Sequence, residues 1–235
     1  MSNVFQLLPW LDWGALVWFL CAWSGYALFA RRRGREQPSL LAAGEQVRHR
    51  WMLEATYRDP RVFDAVVLQK LATSPSFFAS TTILIIGGLL AMLGSNEQAT
   101  ALVRELPFAV RTSVQVFDMK VLVLVGVFVY AFFRFTWSLR QYNFGALLVA
   151  ALPDPKRMLE LGDATRQLMA RRASGLISMA AESFNDGLRA YYMAFAAVTW
   201  FFSPLAFIMA SAVVVVILYQ REFRSNALQL LREDT

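Results

Sequence analysis

The stretch AFFRFTWSLRQYNFGALLVAAL, Ala131 to Leu152, sets Arg134, Arg140, Gln141 and Asn143 into a run that otherwise reads as membrane-spanning helix. Gly126, Tyr130, Arg134, Ser138, Gln141 and Gly145 recur at steps of four or three, which puts them on one face of a helix. That face carries the groups lipid would not solvate. In membrane helices such faces turn to the bundle interior or to an aqueous cavity, where they mark functional positions. Two readings stand. Arg134 either snorkels to a nearby membrane face, or is held in a structural ion pair, or it belongs to a functional polar centre. Ser138 and Gln141 count against pure snorkelling, because a snorkelling arginine needs no polar groups beneath it.

Working outward, 57% of the 235 residues are hydrophobic, against roughly 45–50% in soluble domains. The 17% that are charged cluster and leave uncharged runs at Trp13–Ala30, Leu71–Ser95, Val121–Phe133 and Ala190–Gln220. About 20 apolar residues cross a hydrocarbon core of about 30 Å, so these runs predict an all-α integral membrane protein with four transmembrane helices. The expected spans are 9–30, 75–94, 119–140 extending to 152, and 192–219, in one membrane domain with cytoplasmic segments at 31–73 and 141–190.

RRRGR, Arg31 to Arg35, follows the first apolar run instead of preceding it, so that run is not read as a secretory signal. Positive charge on the cytoplasmic side also sets orientation. With both long connections inside, Arg31–Lys70 and Arg140–Arg189 hold sixteen basic residues, while the outer loop and the tail after Gln220 hold six. The expected topology is a bacterial inner-membrane protein with both termini periplasmic. The net charge of +6 then reflects topology and attraction to anionic headgroups, and nucleic acid is not expected as a partner.

Along the chain, Trp10 and Trp13 suit a headgroup belt. Ser39–Arg58 repeats apolar residues at helical spacing and reads as an amphipathic cytoplasmic helix that Asp59-Pro60 ends. A short helix at 61–72 follows. Ser74-Pro75 reads as the start of the second span. The outer loop, 96–117, reads as a weak surface helix, and 156–172 as a charged cytoplasmic one. Pro204, after Ser203, is expected to kink a single long fourth helix that begins near Ser174.

Partners for Arg134 are sought in AESFNDGLRAYYMA, where Glu182, Asn185 and Arg189 share a face and Asp186 lies beside it. A carboxylate there would offset the cost of both buried charges. The candidate polar centre is therefore Arg134, Ser138, Arg140, Gln141, Asn143, Glu182, Asn185, Asp186 and Arg189. Arg221, Glu222 and Arg224 form a candidate outer vestibule, or simply a solvated helix end. Arg31, Arg32, Arg33, Arg35, Arg48, Arg50 and Trp51 are candidate contacts to anionic lipid.

Enzymatic chemistry is not expected. His49 is the sole histidine and reads as a solvated surface residue. Cys21 is the sole cysteine, and neither a phosphate-binding glycine loop nor a nucleophile elbow occurs. No cofactor or metal is expected.

FFASTTI (Phe77–Ile83), FTWSLRQYNF (Phe135–Phe144), RAYYMA (Arg189–Ala194) and YQREFRSNAL (Tyr219–Leu228), in this order, resemble an uncharacterised multi-pass membrane-protein family of bacteria and plants. That family carries a domain-of-unknown-function label. The resemblance implies a multi-pass membrane protein and supplies no reaction or substrate. Two functions follow from the residues. One is a homo-oligomeric channel or transporter for a small anion. The other is a scaffold or accessory subunit that binds anionic lipid and a protein partner.

Overall fold

In a bilayer the backbone must satisfy its own hydrogen bonds, so apolar runs of this length can only be helical. The computed structural model describes residues 9–37, 39–94 and 114–233. Its elements are α1 (Trp10–Glu36), α2 (Leu40–Ala55), α3 (Val62–Gly94), α4 (Val114–Ala150), α5 (Pro155–Leu161), α6 (Asp163–Val198), a 3-10 turn (Thr199–Phe201), α7 (Pro204–Phe223) and α8 (Asn226–Glu233). Among the described residues there is no strand. Four segments are long and apolar enough to cross a membrane: Trp10–Gly34, Val62–Leu93, Val114–Ala150 and Pro204–Leu231.

The chain divides into two compact units. The first is drawn from Met1–Arg33, Thr81–Ala131 and Leu188–Gln220, the second from Gly34–Ser80, Phe132–Gly187 and Arg221–Thr235.

In the first unit, contacts at successive heights show which way each helix runs. The rings of Phe19 and Phe207 lie 4.9 Å apart, and those of Phe29 and Tyr219 lie 6.2 Å apart. Tyr26, Ala30 and Leu218 form a buried cluster at the same end. Thus α1 and α7 run side by side in the same sense. The last turns of α6 run the other way, from Arg189 over the Tyr26 ring to Trp200 bonded to Asp12. α4 follows α1, with Lys120 near Asp12 and the Tyr130 ring against Trp23.

This corrects the expected fourth span. Residues 192–219 are not one kinked helix, because α6 ends at Val198 and the chain reverses through the 3-10 turn. Pro204 opens α7, where its missing N–H costs nothing. The Ser203 hydroxyl accepts the Leu205 N–H at 3.2 Å beside it. The start of α1 and the Leu218–Tyr219 turn of α7 consequently lie at opposite ends of this unit.

The second unit is built around Met52, Ala55, Leu68, Tyr142, Val149, Ala170, Ala173, Ile177 and Ala180, from α2, α3, α4 and α6. Ser39 caps α2 by accepting the Ala42 N–H at 3.2 Å. The Arg61 guanidinium donates to the carbonyls of Ala55, Leu152 and Pro153, closing the C-terminal ends of α2 and α4 at once. α2 packs against α8.

Three boundaries differ from expectation. α3 is one helix of 33 residues that runs through Pro75, so Ser74-Pro75 does not start it. The helix expected at 156–172 is split at Gly162, whose φ of 80° no other described residue shares in sign. α6 then runs unbroken from Asp163. The expected outer-loop helix lies outside the described residues, apart from Val114–Phe117, which form the first turn of α4.

Candidate functional site

The polar face of α4 meets α6 within the second unit. Arg134 Nη2 donates to Asp186 Oδ2 at 2.6 Å. Ser138 Oγ donates to the Ala180 carbonyl at 2.7 Å. The Gln141 amide, oriented to satisfy every partner, donates to Ser183 Oγ at 2.7 Å and to the Met179 carbonyl at 3.1 Å, and accepts from Trp137 Nε1 at 3.2 Å. Ser138, Gln141, Ser183 and Asp186 are all under 5% exposed.

Two glycines let the backbones close on this ladder. A Cβ on Gly145 would lie 2.9 Å from Ile177 Cγ1, and one on Gly187 would lie 2.5 Å from Phe135 Cε1. Phe135 stacks on Phe78 at 5.2 Å, and Phe184 joins both rings at 5.7 Å. Small residues and interhelical hydrogen bonds are what hold helices together where water supplies no hydrophobic drive.

Of the expected polar centre, the structure therefore gathers Arg134, Ser138, Gln141 and Asp186, and adds Ser183. Arg140 is exposed, with its guanidinium 5.5 Å above the Phe144 ring. Asn143 is exposed and lines a different cleft. Glu182 and Asn185 are half-buried. Arg189 belongs to the other unit, buried with its guanidinium 5.6 Å over Tyr26.

Of the expected vestibule residues, one turns inward. Glu222 is buried and accepts the Leu41 N–H at 3.4 Å, which ties it to the helix that follows Arg31–Arg35; Arg221 and Arg224 are exposed beside it. Two of the expected lipid contacts turn inward. Arg48 Nε donates to Ser178 Oγ at 2.9 Å, and Trp51 Nε1 donates to Asp64 at 2.7 Å. Burial depresses the Arg48 guanidinium below its ordinary range, and nearby Tyr142 and Glu45 oppose that shift. His49 is half-buried against Ser174 Oγ at 3.3 Å instead of solvated. Arg31, Arg32 and Arg50 are exposed, Arg33 lies over the Phe29 ring, and the Arg35 side chain lies outside the described residues.

One buried cluster was not anticipated. In the first unit Asp12, Lys120 and Trp200 are 5%, 4% and 1% exposed. Trp200 Nε1 donates to Asp12 Oδ1 at 2.7 Å, Lys120 Nζ lies 3.4 Å from the same oxygen, and it donates to the Trp200 carbonyl at 2.9 Å. The available signal was one acid and one base, Asp12 and Lys120, near the starts of two spans. Read singly, they look like loop charges.

A cleft of about 570 Å³ in the second unit lies between the start of α3 and the end of α4. Asp59, Arg61, Gln69 and Asn143 edge an apolar floor that includes Leu68, Ala146 and Val149. Among the described residues no three His, Cys, Asp or Glu side chains gather to hold a metal.

The all-helical architecture and its four apolar spans define a multi-pass helical membrane protein. Within that class the chain belongs to the family described as Protein of unknown function, DUF599, whose model matches residues 14–227. No curated protein and no solved structure matches the chain.

Proposed function

We propose that this protein is a non-enzymatic membrane scaffold, an accessory subunit that carries anionic lipid and offers its second unit to a protein partner. The observation that carries this reading is the closed α4–α6 ladder. Arg134 is held by Asp186, and Ser138 and Gln141 are spent on α6. An anion path needs donors or cations that face a wet pore, whereas these groups bond helix to helix. The basic side of the membrane, with exposed Arg31, Arg32 and Arg50, supplies attraction to anionic headgroups. The cleft edged by Gln69 and Asn143 is the preformed surface a partner would use. By the charge rule this side is cytoplasmic, and the host membrane is an inner membrane.

Native mass spectrometry of gently solubilised protein, beside anion flux in proteoliposomes, tests the proposal. A single chain in a hetero-complex and no flux above empty vesicles are expected. A symmetric oligomer that conducts halide or phosphate, and loses that conduction in Arg134→Ala, would overturn it in favour of transport.

A further inference from the structure

We infer that the cleft between α3 and α4 in the second unit is a groove for an amphipathic helix of a partner protein, one with a lysine or arginine in the turn beside Asp59. The inference rests on the scaffold reading and names the chemistry of its partner. The two helices run antiparallel, from Arg61 bonded to the Leu152 carbonyl at one end to Phe78 stacked on Phe135 at the other. Both walls of the cleft follow helical spacing, with Ala65, Gln69 and Ala72 on α3 and Asn143, Ala146 and Ala150 on α4. From Val62 to Ala72 the α3 wall rises about 15 Å, nearly three helical turns. Four of the six wall positions named are alanine, so a third helix can bring its backbone close.

Two observations bear on what fills it. Apart from Ala72, the lining residues fall outside the uncharged runs Leu71–Ser95 and Val121–Phe133. Gln69 and Asn143 are exposed amides at the edge, which an acyl chain would leave without partners. The second observation is the charge. Arg61 Nε, Nη1 and Nη2 each donate to a carbonyl that ends α2 or follows α4. The Asp59 carboxylate also lines the cleft and is exposed, and among the described residues it meets no cation. The one charge left open in the cleft is therefore negative, in a chain whose net charge is +6. A basic side chain answers it, while apolar residues spaced by three and four cover Leu68 and Val149 on the floor. An acidic helix, or a second copy docking groove to groove, would bring like charge to Asp59.

The test uses the full chain in phosphatidylcholine nanodiscs and a displayed library of helices about 14 residues long, apolar at i, i+3, i+4 and i+7 and randomised elsewhere. Empty discs remove helices that bind lipid alone. Selected helices are expected to carry lysine or arginine in a terminal turn, and a carbodiimide should join a selected lysine to Asp59 of the unaltered protein. Asp59→Asn should weaken these helices about two- to fivefold, as for an exposed ion pair. Ala65→Trp fills the groove from an exposed position and should abolish binding with helicity unchanged. Ala150→Trp, exposed on the other wall, decides the matter if Ala65→Trp does not fold.

Selection of no helix, of helices without basic preference, or of helices indifferent to Ala65→Trp would overturn the groove. So would a symmetric dimer, or a bound phosphatidylcholine, that Ala65→Trp displaces in native mass spectrometry, since either gives the cleft another occupant. If the chain still purifies from its host membrane in a hetero-complex, only this site fails. If it purifies without a partner, the scaffold reading fails too.

Discussion

The indole N–H of Trp200 donates to the Asp12 carboxylate at 2.7 Å, joining residues 188 positions apart. Lys120 completes the cluster from α4, and Trp200 stacks on Phe207 at 5.0 Å. The 3-10 turn that reverses the chain is thereby tied to three helices at once. Charges this deep in a membrane protein persist only when paired.

Removing one member should therefore be costly. Asp12→Ala leaves a buried lysine without its carboxylate, a loss of about 3–5 kcal/mol. Asp12→Leu with Lys120→Met removes both charges and should be less destabilised than Asp12→Ala alone. Denaturant unfolding of the detergent-solubilised protein measures both. Wild-type stability in Asp12→Ala would refute the clamp.

The hairpin can be checked by sidedness. In a Cys21→Ser background, Gln37→Cys and Asn226→Cys should react with an impermeant maleimide from the same side of oriented vesicles. Trp10→Cys, at a position 82% exposed, should react only from the other side. Labelling of Asn226→Cys together with Trp10→Cys would restore a single kinked fourth span.

Glycine substitutions separate close packing from empty space. Gly187→Ala drives a methyl into Phe135 and should cost about 1–3 kcal/mol. Gly88→Ala meets nothing within 4 Å and should be neutral or stabilising by up to about 1 kcal/mol, since alanine favours helix. Equal effects would mean the α4–α6 approach is not as tight as described.

The ion pair of the ladder is expected to be structural. Arg134→Ala should lower stability by about 1–3 kcal/mol. The effect is moderate because the Arg134 side chain is 25% exposed. A double-mutant cycle with Asp186→Ala should show coupling of about 0.5–3 kcal/mol, read from the same unfolding curves. Additive losses would mean that the two side chains do not share the bond.

Much of the candidate site was legible in the sequence. Arg134, Ser138 and Gln141 share a face through helical periodicity alone, and Asp186 was among the few acids able to reach it. Whether that face was wet was not legible. It depends on Gly145 and Gly187 bringing α6 close enough for Ser183 and the Ala180 carbonyl to take up the polar groups. Arg48 and Trp51 misled because an amphipathic pattern shows which residues share a face, without showing what covers it.

Composition and periodicity by themselves determined the helices, the apolar spans and the inward turn of the α4 polar face, because lipid penalises any other choice. Only the tertiary structure decided where the chain turns back. Ser74-Pro75 and Ser203-Pro204 are the same local signal, yet the first lies inside α3 and the second opens α7. A proline removes one backbone donor in either setting and cannot say whether the helix continues. Trp200, bonded to Asp12 and Lys120 from distant parts of the chain, makes that choice at the second site.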